Sequence, residues 1–302
     1  MSLTNKIDFV ALVSVANANP NGDPLNGNRP RTDYDDIGEI SDVCIKRKIR
    51  NRLQDLGCKV FVQSADNTND GFKCLSERAK SIGLEKSSDA YAKKACAEWI
   101  DVRSFGQVFA LKGNNSSEGV SIGIRGPVSI QISPSVDPVD VVSMQITKSV
   151  STEDGSKKGS DTMGTKHFVR YGLYVIKGAI NVQLAEKTGF SDKDAELIKT
   201  CLATLFDNDA SSARPEGSMV VNKLYWFKHN CKDGQYPSYK VHNSVKVAKN
   251  EGVIVPKSYA DYIVTREDLP GLECEEIDGF LPSHLRNSAL SLLSQTMGAH
   301  SH

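Results

Sequence analysis

The sequence has no long hydrophobic run. Its longest apolar runs, such as Phe9–Val13, are far shorter than the roughly 20 residues that a membrane-spanning helix needs. The N-terminal residues MSLTNKIDF do not combine a basic segment with a long apolar stretch, so no secretory signal is expected. We therefore expect a cytoplasmic protein without a membrane partner.

Net charge and closely spaced cysteines are also missing. The 37 lysines and arginines equal the 37 aspartates and glutamates, so the total charge does not indicate a nucleic-acid partner. The seven cysteines include no C-x-x-C pair, which favours reduced thiols. With 302 residues and a hydrophobic fraction of 39%, the chain can build a core without disulfide or metal cross-links.

The sequence also lacks the common catalytic motifs. It has no G-x-S-x-G elbow, no H-E-x-x-H helix, no G-K-[ST] after a glycine-rich loop and no G-x-G-x-x-G spacing. The internal histidines have no ligand spacing. Asp33, Asp35 and Asp36 could bind Mg²⁺, although a solvated loop is the favoured interpretation. We expect no catalysis, no cofactor and no metal site.

What the sequence does contain is an alternation of apolar strands and amphipathic helices. The predicted elements are a strand at Ile7–Val15, a helix at Ser41–Leu56, a strand at Lys59–Gln63, a helix near Ser88–Asp101, strands within 120–150 and at Phe168–Val182, a helix from Ser191 through Phe206, a strand at Met219–Phe227, and a helix at Ser283–Met297. Residues 64–118 are polar and are predicted to form an insertion with a loop at 113–117. The glycine-, serine- and lysine-rich stretch 151–166 is predicted to project as a mobile hairpin or loop.

Without its insertions, the predicted order is strand, helix, strand, strand, helix, strand. This order predicts an α+β fold of the ferredoxin-like (RRM-like, βαββαβ) type, with an antiparallel sheet and two helices on one face.

The helix at 41–56 carries five cations within seven residues. They are Lys46, Arg47, Lys48, Arg50 and Arg52. Lys46, Arg47 and Arg50 project away from the apolar stripe, and the other two flank it. Arginine binds phosphate bidentately, and like charges so close together repel without a partner. We interpret this surface as a phosphate-binding one, with an idle solvated face as the alternative.

Two further segments are candidates for nucleic-acid contact. The loop NANPNGDPLNGNRPR at 17–31 offers backbone amides, asparagines and two arginines to phosphates or riboses, although a structural turn is the commoner explanation of such a loop. Aromatic residues lie beside lysines at 223–228 and 236–240. They suit stacking on bases, and a buried strand with a lysine rim is an equally good interpretation.

These residues together resemble a known family. The stretches NPNGDPLNGNRPRTD at 19–33, DVRSFGQVFA at 101–110, RGPVSIQ at 125–131 and TMGTKHFVRYGLY at 162–174 resemble the backbone subunit of type I-C CRISPR surveillance complexes (Cascade), the Csd/Csh-type branch of the RAMP superfamily. The pattern of Ser41, Lys46 and Arg47 is similar to the phosphate-binding helix of these subunits. The matches run in order across most of the chain, up to about residue 250.

The resemblance implies a hand-shaped subunit with a ferredoxin-like palm (1–63 and 119–302), an inserted helical fingers subdomain (64–118) and a projecting thumb hairpin (about 140–168). Several copies would stack helically along one CRISPR RNA, and each would displace a base while presenting the others to target DNA. Further implied partners are the large subunit and the subunit that binds the 5′ handle of the CRISPR RNA.

The resemblance also implies roles for individual residues. The RNA-binding set comprises Asn19, Asn21, Arg29, Arg31, Ser41, Lys46, Arg47, Arg50, Arg125, Met163, Lys166 and His167. Within it, Arg125, Met163, Lys166 and His167 would lie at the base of the thumb, where Met163 or His167 could wedge against a kinked base. Lys157 and Lys158 would contact target DNA.

One rival function belongs to a different class. In related type III complexes, an acidic residue of the thumb cuts target RNA with a divalent metal. Glu153, Asp154 and Asp161 lie in the corresponding stretch, so metal-dependent cleavage of target RNA is the alternative to a non-catalytic scaffold.

Overall fold

The computed structural model describes residues 2–83, 87–112, 119–147 and 163–279. The strands are β1 Ile7–Ala18, β2 Gly22–Asp23, β3 Arg29–Pro30, β4 Ile37–Ile40, β5 Gly106–Lys112, β6 Gly119–Arg125, β7 Val128–Ile130, β8 Ser133–Pro138, β9 Val141–Thr147, β10 Met163–Ile180, β11 Met219–Lys228, β12 Val245–Lys249, β13 Tyr262–Arg266 and β14 Glu273–Asp278. The α-helices are α1 Asp42–Asp55, α2 Leu75–Ser81, α3 Ser88–Glu98, α4 Ile100–Phe105, α5 Val182–Thr188, α6 Asp192–Ala203 and α7 Ser238–Ser244.

A large antiparallel sheet forms the centre of this mixed α/β structure. Its strand order is β14-β11-β1-β10-β8-β4, and β7 and β9 also pair with β10. β1 lies between β10 and β11, with Ile7 opposite Ile180 and Lys228. The central residues Phe9–Val13 are completely buried, because both faces of the sheet are covered. This explains why β1 is continuously apolar rather than alternating.

The two faces of the sheet are covered by different layers. On one face, α1, α5 and α6 pack their apolar stripes, including Ile45, Ile49 and Ile198, against the sheet. On the other face, α7 and the two-stranded ribbon β12–β13 cover Val10 and Leu12. The second layer has no counterpart in the predicted strand and helix order.

A separate apolar cluster lies between residues 61 and 124. Its buried members include Phe61, Tyr91, Trp99, Phe109 and Ile122, and the aromatic rings pack with centroids 4.8–6.3 Å apart. The hairpin β5–β6 belongs to this cluster and does not pair with the central sheet. The stretch 120–125, predicted as part of the main sheet strands, therefore pairs elsewhere.

Four predicted elements are confirmed as β1, α1, α6 and β11. α1 begins after Ser41, whose Oγ accepts a hydrogen bond from the N–H of Cys44 at 3.3 Å. It ends before Gly57, which has a φ of 78° that favours glycine. β10 starts earlier than predicted, at Met163, because β9 pairs with its first residues.

Two predicted elements differ from the structure. Lys59–Gln63 is not a strand, because the N–H groups of Phe61 and Val62 donate to the carboxylate of Asp101 instead of a neighbouring strand. The helix predicted near Ser88–Asp101 breaks at Trp99, which is extended (φ −116°, ψ 121°), and continues as α4.

The remaining predicted elements differ in their bounds or lie outside the described residues. α5 was not predicted, and Leu205 and Phe206 lie just beyond the end of α6. The predicted helix at 283–297, the loop at 113–117 and most of the stretch 151–166 lie outside the described residues. Within the part of the chain that the structure describes, no helix is both long and apolar enough to cross a membrane.

Candidate nucleic-acid interface

Helix α1 turns its five cations to different environments. Lys48 and Arg52 are 3% and 7% exposed. Lys48 forms an ion pair with Asp209, and Arg52 donates to Asp55 at 2.6 Å and to Thr204 at 3.2 Å. Burial lowers the pKa of Lys48, while the Asp209 carboxylate opposes this shift. These two cations stabilise the packing of α1. The prediction that all five cations form a phosphate-binding surface is therefore wrong for Lys48 and Arg52.

The three remaining cations of α1 are engaged to different degrees. Lys46 donates to Asp42 one turn earlier at 2.8 Å. Arg47 is half-buried, and its Nη1 donates to the carbonyl of Val62 at 2.7 Å. Burial lowers the pKa of Arg47, and the nearby Arg50 charge adds to this, but arginine remains charged at any relevant pH. Arg47 therefore keeps a full positive charge, and no carboxylate of the described residues is bonded to it.

Arg50 is held by the buried carboxylate of Asp101. Its Nε donates to Asp101 Oδ2 at 2.9 Å, and its guanidinium lies 5.0 Å from the centroid of the Phe105 ring. Only 11% of the Arg50 side chain is exposed, and none of Asp101. Because its charge is already neutralised, Arg50 has a structural task that the prediction of RNA contact did not include.

The asparagines of the loop at 19–31 shape the loop itself. Asn19 is buried, and its Nδ2 donates to the carbonyl of Asn28 at 2.7 Å. Asn21 Oδ1 accepts from the N–H of Ser41 at 2.9 Å, so this amide ties the loop to the start of α1. Ser41 itself caps the helix. In the structure, the side chain of Asn19 is enclosed and not placed for the predicted RNA contact.

The arginines of the same loop reach outward. Arg29 Nη1 donates to Ser143 Oγ at 2.7 Å, and His167 Nδ1 lies 2.9 Å from the same oxygen. The Ser143 hydroxyl can therefore accept from Arg29 while donating to His167. This contact joins the loop to the hairpin β9–β10, and the group to which Arg29 donates is an uncharged hydroxyl.

Arg31 lines a cleft of about 330 Å³ between the loop and the turn that connects β8 to β9. Its Nη2 lies 3.4 Å from Asp23, and its Nε is buried without a hydrogen-bond partner among the described residues. Asp36, Glu39 and Asp140 also line this cleft. The cleft is polar and of mixed charge, because both Arg29 and Arg31 line it together with these acids.

The residues predicted at the thumb base fall on two faces of the hairpin. Met163 and His167 pair with Thr147 and Ser143, and strand alternation puts both on the face that meets Arg29. Lys166 pairs with Met144 and therefore lies on the opposite face. Met163 is 64% exposed and Met144 is 49% exposed, so each face of the hairpin presents an uncovered thioether.

Arg125 lies far from these residues. It ends β6 opposite Gly106, and the following strand β7 pairs with β10 at Gly178–Ile180. His167 lies eleven residues earlier in β10, roughly 35 Å away along an extended strand. Arg125 is exposed, but its predicted place at the thumb base is wrong, because β6 pairs with β5 at the other end of β10.

Three further predictions concern residues elsewhere. Tyr225, Trp226 and Phe227 are buried, so these aromatics form core and not a stacking surface. Lys157 and Lys158, like the acids Glu153, Asp154 and Asp161 of the rival function, lie outside the described residues. Among the residues that the structure does describe, no group of three histidine, cysteine or acidic side chains could hold a metal ion.

Two functional side chains were not predicted. Asp101 accepts hydrogen bonds from Phe61 N–H, Val62 N–H and Arg50, and Ser143 joins Arg29 to His167. Asp101 opens the stretch DVRSFG, but its partner Arg50 is 51 residues away. No local spacing could have indicated this pair.

Comparison with known protein families shows the family to which this chain belongs. The model of one protein family, "CRISPR-associated protein Cas7", matches residues 5–267, which is well over half of the chain. The chain belongs to the Cas7 family. The matched range contains the loop at 19–31, α1 and the described parts of the hairpin β9–β10, and it ends before β14.

The individual proteins to which this chain is similar have low sequence identity to it. A CRISPR-associated protein Cas7 of Haloferax volcanii is 26% identical over 230 residues, which cover 70% of this Cas7 chain and 67% of that protein. Chains in two solved structures are similar at TM-scores of 0.42 and 0.46. The first belongs to "CRISPR RNA-guided surveillance complex, pre-nicking" (14% identity, 74% of this chain and 78% of the other) and the second to "CRISPR RNA-guided surveillance complex" (15%, 82% and 78%). The family assignment rests on the sequence match.

Proposed function

We propose that this Cas7 protein is a non-catalytic scaffold that binds CRISPR RNA and stacks in several copies along it, within a type I-C antiviral surveillance complex. Membership of the Cas7 family supports the general role. The central sheet with α1 and α6 would be the palm, the region around α2–α4 and β5–β6 the fingers, and the hairpin β9–β10 the base of the thumb. Its other partners would be the large subunit, the subunit on the 5′ handle, and target DNA.

One observation carries the proposal. The loop at 19–31 is bonded at one end to the start of α1, through Asn21 and Ser41, and near its other end to the hairpin β9–β10, through Arg29 and Ser143. Three separate parts of the sequence are thereby fixed in one arrangement. Cations held on rigid elements with neutral partners keep their charge for phosphate, which is the usual source of affinity for nucleic acid.

The residues assigned to the RNA follow from this arrangement. Arg47 and Arg29, whose bonded partners are neutral, would contact the RNA backbone. Lys46 and Arg31 would also contact it, because their carboxylate partners are partly exposed. Met163 and His167, on the face of the hairpin shared with Arg29, would contact a displaced base. Lys166 would act from the opposite face. Arg125, at the end of β6, would contact nucleic acid only where the proposed fingers touch the nucleic acid. Arg50 would hold α1 in place through its bond to Asp101 and would not contact a phosphate. Lys157 and Lys158 remain proposed contacts to target DNA.

Nuclease protection of an end-labelled single-stranded RNA by the purified protein, with Mg²⁺ present, tests the proposal. A scaffold of stacked copies predicts sensitive positions at regular intervals and no cuts before nuclease is added. Lys246→Ala is a matched control, because Lys246 is exposed on the ribbon β12–β13, and it should leave the pattern unchanged. A smooth, unprotected ladder would contradict the proposal. Cuts made by the protein itself, and abolished by Asp154→Ala, would establish the RNA-cleaving alternative.

A further inference from the structure

A cleft of about 630 Å³ opens between α3 and the turn that joins α5 to α6. Lys93, Lys187 and Lys193 line it, and all three are exposed and have no ion-pair partner among the described residues. The other charged groups of the lining are engaged. Arg103 donates to Asp194 at 2.8 and 3.1 Å. Glu186 accepts from Lys232 at 2.7 Å. This lysine cleft, defined by Lys93, Lys187 and Lys193, therefore has three uncompensated positive charges.

The lysine cleft has an apolar floor beneath its cationic rim. Cys96 and Leu197 are buried in it, and Ala97 lies beside them. A phosphate backbone would leave such a floor uncovered. An apolar or aromatic side chain flanked by carboxylates matches both the floor and the rim, because interfaces combine a buried apolar centre with a polar edge.

The same chain presents such a group on the Tyr34 turn, residues 33–36. Tyr34 is completely exposed, and Asp35 and Asp36 beside it are exposed without ion-pair partners among the described residues. The turn is fixed in shape. Asp33 Oδ1 accepts the N–H groups of Asp35 and Ile37 at 2.9 Å each, and the carbonyl of Asp36 accepts from Val139 N–H at 2.9 Å. A large exposed tyrosine on a rigid acidic turn is typical of an interface anchor.

The lysine cleft and the Tyr34 turn lie at opposite ends of the central sheet. Leu3 N–H donates to the carbonyl of Phe190 at 3.0 Å, which places the turn between α5 and α6 at the start of β1. The Tyr34 turn follows the loop after the end of β1 and is bonded to Val139. The 12 residues of β1 span roughly 40 Å, so the two surfaces cannot meet within one copy.

We propose that the Tyr34 turn of one copy docks into the lysine cleft of the next copy. The contact is heterologous, because it uses two different surfaces of the same chain, and repeated heterologous contacts produce open helical arrays rather than closed dimers. The inference rests on the proposed stacking of copies along RNA and identifies the surfaces that meet. Tyr34 would fill the floor, and Asp35 and Asp36 would face Lys187 and Lys193.

Complementary charge reversal tests this docking. One variant combines Asp35→Lys with Asp36→Asn, since asparagine tolerates the positive φ of 59° at position 36. The other combines Lys187→Glu with Lys193→Glu. Sedimentation velocity on a long RNA measures how many copies assemble. Each variant alone should form few or no multi-copy assemblies. An equimolar mixture should restore them, because the altered turn of one variant is complementary to the altered cleft of the other, and their two unaltered surfaces are complementary as well. Normal assembly by either variant alone, or a mixture that stays dispersed, would overturn the proposal.

A short RNA that holds one copy separates this inference from the proposed function. The wild type and the variant with Lys187→Glu and Lys193→Glu should bind it alike, because no contact between copies is needed and these lysines line a cleft at the opposite end of the sheet from the residues assigned to the RNA. A wild type that fails to bind the short RNA would refute the RNA scaffold itself. A wild type that never assembles on long RNA would refute the proposed stacking, whereas a wild type and two variants that all assemble alike would refute the docking alone.

Photo-crosslinking identifies the partner surface directly. With benzoylphenylalanine in place of Tyr34, assemblies on long RNA should give crosslinked peptides from α3 or from the α5–α6 turn of a second copy. The matched control has the same group in place of Leu25, which is equally exposed in the same loop and should not give these peptides. Crosslinks from position 34 to any other surface would contradict the docking.

Discussion

Two arginines about one turn apart in the middle of helix α1 have opposite kinds of partner. Arg47 donates to a backbone carbonyl, and Arg29 of the adjoining loop donates in the same way to the neutral Ser143 hydroxyl. Arg50 is bonded to the buried carboxylate of Asp101. A neutral acceptor orients a guanidinium and leaves its charge available to a ligand, whereas a buried carboxylate neutralises it. The partner of each cation, rather than the number of cations, therefore distinguishes a binding surface from a structural joint.

The structural joint should be the more sensitive of the two to mutation. Asp101→Ala leaves Arg50 without its carboxylate and the N–H groups of Phe61 and Val62 without an acceptor, so we expect the free energy of unfolding to fall by about 3–5 kcal/mol. Urea denaturation measures it. Glu98→Ala is the control, because Glu98 pairs with the largely exposed Lys59, and such pairs contribute at most about 1 kcal/mol. Equal losses in the two variants would refute the structural role of Asp101.

Asp8 is a second buried carboxylate, on the face of the sheet that α7 covers. It accepts from His229 at 2.8 Å and lies 3.2 Å from Lys6 and 3.5 Å from His242. Burial alone would raise the pKa of Asp8, but hydrogen bonds from His229 and Ser238 and the nearby positive charges lower it. Burial lowers the pKa of His242. The hydrogen bond to the Gly178 carbonyl and the charge of Asp8 oppose this shift, whereas the charges of Lys177 and Lys6 lower the pKa further.

These shifts predict acid sensitivity in two steps. Because His242 binds its proton less readily in the folded state, stability should fall as the pH drops through the ordinary histidine value of 6.5, with a slope of at most about 1.4 kcal/mol per pH unit. The lowered pKa of Asp8 should remove further stability as the pH falls below 3.8. Thermal unfolding from pH 8 to pH 3 measures both steps. His242→Asn should remove the first step, and an unchanged profile in that variant would contradict this assignment.

The sequence predicts well those features whose causes are local. The bounds of α1 follow from Ser41 and Gly57, and its buried side follows from the spacing of Ile45, Ile49 and Leu53. The misassigned features all have distant partners. Lys48 and Arg52 are bonded to residues 161 and 152 positions away.

One strand prediction and one residue placement failed because the pairing partners lie far away in the sequence. Phe61 and Val62 donate to Asp101, about 40 residues further along the chain, so an apolar stretch with strand character has no strand to pair with. Arg125 was expected at the base of the thumb, but β6 pairs with β5, and this pairing cannot be deduced from the composition of either strand. The main strands and helices could be predicted, while the partners of their polar groups could not.

The most direct test of the account compares Arg47 with its neighbour Lys48. The affinity of each Ala variant for single-stranded RNA is measured over a range of salt concentrations, together with its free energy of unfolding. Each phosphate contact contributes about −0.7 to the log–log salt slope. We predict that Arg47→Ala loses about one such contribution and, with its bond to Val62, only about 1 kcal/mol of stability. Lys48→Ala should lose more stability at an unchanged slope. An unchanged slope in Arg47→Ala, or equal effects of the two variants, would contradict the account.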